Sequence, residues 1–435
     1  MIAALSQWSF LFVFFVLYGE EGINQSVIGP LYPFQAKSFH DASYFSIGIT
    51  LAMFATGIVF ASLLLWNVKI GKNNIFALFT FGSFISSLTM LGFGLSDFLN
   101  SIWMYHCSNA INRFLNGLAY GCMSSTYFML TIQLFGKLGA KLVPFMVTIF
   151  YMGLSLGPYL GLRISHQYSY AFTFAAFFSV QMTLIICLLI LFKINKRNNV
   201  DVEHTKVKTD NGVNNNTRLK LGLEMLTKTE LYVYLGIVLY INTNVVFIEG
   251  TLADVMQTVW NVSDQDVEFT YMIACIALIP ASTTASLLTM KGFSPQVVLF
   301  STFFYSLGML ALYLISVTDS IKPFPTIVVI MFAANIPRSA LSSVTYSVVD
   351  IYCINEFCDY SKSEIRTFLG PLITLSRSLG YMIGNILFIG ILRGLLGHAT
   401  SLLLLVIIGQ SLSFATLYIM IKRKTLFCRF FVQPF

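Results

Sequence analysis

Charge is scarce in this chain. Asp, Glu, Lys and Arg together make up 10% of its 435 residues, against about 25% in a soluble domain. No soluble core of this length needs the 56% of apolar residues that fill the remainder. Histidine is scarce too. The five present are isolated, no HExxH or Ser-His-Asp grouping occurs, and an enzyme is not expected. No GxxxxGK[ST] phosphate loop is present, which removes ATP coupling. The seven cysteines are scattered without metal-ligand spacing. Neither a metal nor an organic cofactor is therefore expected. Alternating ten-residue strand patterns are missing, which argues against a membrane β-barrel.

Long apolar runs are what the chain has in abundance, and its mean hydropathy is +0.76. A helix needs roughly 20 apolar residues to cross a bilayer. Twelve such runs can be read: 9–34, 44–66, 74–96, 102–134, 141–164, 169–194, 230–254, 267–290, 296–316, 325–352, 367–392 and 399–421. The expected fold class is an all-α polytopic membrane protein. Residues 195–228 form the one long hydrophilic segment, polar, Asn-rich and mostly basic. It divides the chain into a six-helix bundle (1–194), a linker (195–228), a second six-helix bundle (229–421) and a tail (422–435). Lys69, Lys72, Lys137, Lys141, Lys291, Lys362 and Arg366 fall on the side of the linker and tail, which are basic themselves. The positive-inside rule then puts both termini in the cytoplasm, without saying which membrane is crossed. The net charge of +7 is dispersed over separate loops, so it reports topology and gives no case for nucleic acid. The expected partners are the lipid bilayer and a small solute, and a monomer is expected.

The densest motif is Gly153-Leu-Ser-Leu-Gly157-Pro158-Tyr-Leu-Gly161. Three glycines and a proline weaken a soluble helix. In lipid, small residues let helix backbones approach closely. A related pattern, Arg113-x-x-x-Gly117-x-x-x-Gly121, lies in the fourth run. The halves also repeat. Pro144, Gly153 and Gly157 match Pro371, Gly380 and Gly384; Arg113 matches Arg338; Glu21-Gly22 matches Glu249-Gly250.

With these residues the chain resembles the major facilitator superfamily, and within it the drug:proton antiporters and vesicular amine/polyamine transporters. The fifth-run motif resembles their antiporter motif, and Arg113 to Gly121 resembles their fourth-span motif. Gly29-Pro30-Leu-Tyr-Pro33-Phe-Gln-Ala36 resembles the exit of the first span. The resemblance implies two pseudo-symmetric six-helix bundles and a transport role. One departure stands out: Val68 occupies the place of the aspartate usual between spans two and three.

Charges in the middle of a span cost at least about 2.5–3.5 kcal/mol on insertion scales, so they are functional candidates. In the first run Glu20, Glu21, Asn24, Gln25 and Ser26 stack on one helical face. That face is expected to line a central cavity where a carboxyl can take up and release protons. Glu249 with Asn242, and with Asn244 nearby, is its candidate counterpart. Arg113, Arg338 and Arg377 are the buried cations, and carboxylates are their natural acceptors. Arg377 has Phe150 as its counterpart, an asymmetry open to an anionic solute group or a simple helix tie. Asp350 is expected at a gate or interface. The leading expectation is a proton-coupled secondary transporter of a small organic solute, an organic cation being favoured, with the proton gradient supplying the coupling ion. Its rival is a facilitator-fold protein without coupling, acting as a uniporter, receptor or trafficking partner.

Overall fold

The computed structural model describes residues 2–40, 42–67, 74–198, 220–221, 224–225, 227–258, 260–290, 294–317, 323–360 and 362–423. Val68, most of the linker and the tail beyond Arg423 lie outside the described residues. No strand occurs among those described. The first half holds α1 (Ile2–His40), α2 (Tyr44–Asn67), α3 (Ile75–Ser96), α4 (Ile102–Gln167) and α5 (Tyr170–Asn198). The second holds α6 (Thr229–Thr258), α7 (Asp264–Met290), α8 (Ser294–Val317), α9 (Pro323–Glu356), α10 (Lys362–Met382) and α11 (Arg393–Lys422). A π-helical segment, Ile383–Leu392, joins the last two.

Helix α4 spans 66 residues, yet it makes two passes. The rings of Tyr120 and Phe150 lie 5.8 Å apart, whereas thirty residues of straight helix would separate them by about 45 Å. Tyr127 and Phe150 also both stack on Tyr18. The chain therefore folds back between Tyr127 and Phe150, which separates the fourth run from the fifth. Gly397, with φ of +83°, makes the second sharp break. That left-handed conformation suits glycine, and it separates the eleventh pass from the twelfth. Twelve passes result among the described residues.

Among the described residues, seven helical stretches are long and apolar enough to cross a membrane by length and composition. Helices α1, α4, α7 and α9 fall outside that count. They carry Glu20, Glu21, Arg113, Glu268 and Arg338, all buried.

Glycine sets the spacing of the first half. A methyl at Gly117 would fall on the Phe54 carbonyl oxygen, and one at Gly121 on Ala61. These two dock the fourth pass onto α2. Gly153 faces the Gly19 carbonyl, Gly157 the Ser26 hydroxyl and Gly161 the Val27 side chain, with Pro158 buried beside them. These dock the fifth pass onto α1. Lipid supplies little hydrophobic drive between helices, so close backbone packing of this kind holds a bundle together.

The second half repeats this docking in a shifted register. Gly380 faces the Leu239 carbonyl and Gly384 the Thr243 carbonyl, as Gly153 and Gly157 face Gly19 and Ile23. When the two glycine pairs are superposed, Asn244 falls opposite Asn24, and Ile241 falls opposite Glu21. The Glu21-Gly22 match to Glu249-Gly250 is therefore out of register by two helical turns. It arose from a shared dipeptide, whereas the packing follows the glycines.

Candidate functional site

Helix α1 carries the acidic pair into the interior of the first half. Glu20, Glu21, Asn24, Gln25 and Ser26 are all buried. Ser86 on α3 donates to both Glu21 oxygens, at 3.1 and 2.9 Å. Gln181 on α5 donates to Glu21 Oε2 at 3.0 Å, and accepts from Asn24 Nδ2 at 3.0 Å. Asn116 on α4 donates to Ser86 Oγ at 3.2 Å and Thr89 Oγ1 at 3.0 Å. Four helices thus close a polar chamber inside the first bundle. Glu21 and Asn24 turn towards α3 and α5, where the sequence pattern pointed to a cavity between the halves. The face is polar as expected, but its hydrogen-bond donors lie behind α1.

Both Glu20 oxygens, Asn24 Oδ1, both polar atoms of the Gln25 amide and Asn116 Oδ1 are buried without a hydrogen-bond partner. Buried polar groups are ordinarily satisfied, so each exception calls for a physical explanation. Arg113, from the fourth pass, donates to the Gln25 carbonyl at 3.4 Å. Its guanidinium lies 4.4 Å above the Phe54 ring, and its charge acts on Glu21.

Arg377 belongs to a different place, the seam between the halves. From α10 it donates to Tyr120 Oη in the first half at 2.8 Å, and to Tyr381 Oη at 3.4 Å. Its guanidinium lies over the rings of Tyr120, Phe150 and Tyr381 at 5.3, 5.7 and 5.7 Å. Phe54 links the two arginines, since its ring is 5.9 Å from that of Tyr381 and 5.8 Å from that of Tyr120.

Asn242, Asn244 and Arg338 make hydrogen bonds within their own helices, while Asn244 Oδ1 is buried without a partner. Asn242 donates to the Val238 carbonyl at 2.6 Å and Asn244 to the Tyr240 carbonyl at 2.8 Å, each one turn back on α6. Arg338 donates to Asn335 Oδ1 at 3.1 Å. Glu249 lies in α6, but its side chain is outside the described residues. Among the described residues, no group of three His, Cys, Asp or Glu could hold a metal ion.

Two comparisons bear on this architecture. The sequence matches the Major Facilitator Superfamily over residues 10–353. The chain belongs to the major facilitator superfamily. It is therefore an integral, multi-pass membrane protein of a family of small-solute transporters. The crystal structure of a mutant of the nucleoside transporter NupG shares the fold, with a TM-score of 0.69 at 11% identity. The match covers 94% of this chain and 99% of that one. No curated protein matches the sequence.

In such transporters the two halves rock against each other around a site at the repeat interface. Two sets of contacts join the halves away from the chain termini. Glu268 on α7, buried, accepts from Arg163 at 3.4 Å and lies 2.9 Å from His166 Nδ1, both at the end of α4. Tyr44 at the start of α2 donates to Asp254 on α6 at 3.4 Å, and Asp254 is paired with Arg393. Arg393 in turn lies 4.5 Å over the Tyr44 ring. Both links join the first half to the second at the end opposite the termini. A single sequence holds no signal for such pairing, because each partner reads as an ordinary charge at a span end.

At the end that bears the carboxy terminus, a cavity of about 420 Å³ is lined by Lys228, Glu230, Tyr352, Glu356, Lys422 and Arg423. Glu356 accepts from Lys228 at 2.6 Å and Arg423 at 3.0 Å. The bonds from Lys228 and then Arg423 hold its carboxyl below the ordinary value. These contacts tie the end of the linker and the start of the tail to the second half.

Proposed function

We propose that this chain is a proton-coupled secondary transporter of a small organic solute, with Glu20 as the proton carrier beside a hydrogen-bonded Glu21. The observation behind this reading is the contrast between the two neighbours. Glu21 accepts from the Ser86 hydroxyl, shared between its two oxygens, and from the Gln181 amide. Glu20 has two buried oxygens without a donor, one helical turn before Asn24 Oδ1, which also has none. A proton on Glu20 removes an uncompensated charge from the membrane interior, and its O–H becomes a donor for that amide oxygen. Releasing the proton restores the charge. Two states of comparable free energy are what a coupling site requires.

The sequence favours an organic cation because of these carboxylates. Their enclosure behind α1 supports using them for protons and leaves the solute to the seam between the halves. NupG is a nucleoside transporter, so nucleosides belong among the solutes to be tried.

The test uses the protein in liposomes under an imposed pH gradient, following luminal pH while amines, polyamines, nucleosides, sugars and carboxylates are added. Solute-dependent proton movement is expected, and it should vanish in Glu20→Gln while exchange of labelled solute across the membrane continues. Full proton movement in that variant would remove Glu20 from the role. Solute flux with no proton movement for any solute would establish the uncoupled facilitator instead.

A further inference from the structure

We infer that Arg377 is the solute-recognition residue and that the solute class is a planar organic anion, typified by a carboxylate carried on an aromatic ring. This rests on the reading of the chain as a solute transporter and names the substrate class for its central seam.

Position comes first. The glycine docking makes residue 150 of the fifth pass equivalent to residue 377 of the eleventh. These two equivalent positions touch, the Arg377 guanidinium lying 5.7 Å over the Phe150 ring. Equivalent positions of a two-fold repeat meet only near its axis. For a parallel repeat that axis runs along the membrane normal between the halves, where such transporters place their substrate. One copy of the axial position is a ring and the other a cation.

Chemistry follows from what surrounds them. Phe54, Tyr120, Phe150 and Tyr381 come from four different passes and both halves, and all four are buried. Their flat faces suit a planar solute. Arg377 spends two donors on phenol oxygens, one of them from the opposite half. A carboxylate is a stronger acceptor for a guanidinium than a neutral phenol and can take two parallel N–H bonds. It also neutralises a cation at membrane depth. A solute carboxylate would therefore replace Tyr120 and Tyr381 on Arg377. In doing so it breaks the Arg377–Tyr120 bond that joins the halves, so recognition and release of the seam become one event.

The experiment is equilibrium binding to the purified full-length chain in detergent, with no pH gradient, using benzoate, benzylamine and benzyl alcohol as probes. Benzoate is expected to bind in preference to the other two. Its Kd should weaken at least about tenfold in Arg377→Gln, with Arg377→Lys intermediate because an ammonium cannot make the paired bonds. Tyr120→Phe removes the competing acceptor and should tighten benzoate binding; this variant keeps the test decisive if Arg377→Gln does not fold. Preference for benzylamine, no binding of benzoate by the folded wild type, or an unchanged benzoate Kd in these variants would overturn the inference. Since no gradient is present, an uncoupled protein would still bind benzoate. A chain that moves protons with amines and ignores carboxylates would sink this inference alone.

Discussion

His166 Nδ1 lies 2.9 Å from the Glu268 carboxylate, joining the end of the fifth pass to the start of the eighth across the two halves. With Arg163 on the same acceptor, it ties the two halves together at one end of the bundle, and the proposed transport cycle makes that end the one to open. Glu268→Gln keeps the shape and removes the charge. Arg163 and His166 are partly exposed, so the loss should be about 1 kcal/mol, a roughly fivefold shift toward the open end. A cysteine placed at Ala42, on that end, should react correspondingly faster with a membrane-impermeant thiol reagent. An unchanged labelling rate would mean the pair does not hold the end closed.

The glycines make a second prediction. Gly153→Ala drives a methyl into the Gly19 carbonyl, backbone against backbone, and should destabilise by about 1–3 kcal/mol. Gly236 is the control, because a methyl there meets only the Leu412 side chain at 3.3 Å. Gly236→Ala should be neutral or slightly stabilising, since it also gains helix propensity. Thermal unfolding of the two variants side by side decides it, and equal losses would show that the motif spacing does not limit packing.

How much of this could be read in the sequence depends on the distance over which the signal acts. Run lengths displayed the twelve passes because bilayer thickness acts on each helix alone. The fold-back in α4 falls between the fourth and fifth runs, which the sequence already separated at 134–141. Gly117, Gly121, Gly153 and Gly157 were legible as contact points because small residues in lipid have few other uses. Their partners Phe54 and Gly19 were not, since nothing local marks them. The Glu21-to-Glu249 match misled for the same reason: identity of a dipeptide carries no packing register, whereas the Leu239 and Thr243 carbonyls opposite Gly380 and Gly384 do. Arg377 was noticed by its charge, but Tyr120 and Tyr381 were lost among 21 tyrosines.

Ser86 and Gln181 supply the third prediction. Each donates to a buried carboxylate, and such bonds contribute about 1.5–3 kcal/mol. Ser86→Ala should lower stability by that order. Thr183→Ala, whose hydroxyl returns only to the Ser179 carbonyl on an exposed face, should stay within about 0.5 kcal/mol. Chemical denaturation in detergent compares them. A Ser86 variant as stable as the Thr183 one would show that Glu21 is held by other means.

Glu356 gives a pH prediction. Its carboxyl titrates below the ordinary value in the folded state, so the folded chain holds the proton less tightly than the unfolded one. The resulting stability is complete above the unfolded carboxylate value near about 4.3. It is lost as pH falls through the lower folded value. The group is only partly enclosed, so at neutral pH Glu356→Gln should cost no more than about 1 kcal/mol. The gap between variant and wild type should close on acidification from neutral to pH ~3. A gap that widens in acid would contradict the assignment.

The partners of the acidic chamber have a further consequence, for synthesis. Ser86, Asn116 and Gln181 all precede the linker. The first half therefore carries every hydrogen-bond partner seen on the Glu21 and Asn24 side chains before any of the second half has left the ribosome. Chains are made and folded from the amino end, and two glutamates waiting in lipid for distant partners would be a liability. A chain stopped at residue 228 should accordingly insert and resist proteolysis; rapid degradation of that fragment would argue otherwise. The seam, by contrast, cannot exist until Arg377 arrives. Assembly thus separates into burying charge early and joining the halves late, and the contacts made last are the ones that transport must break and remake in every cycle.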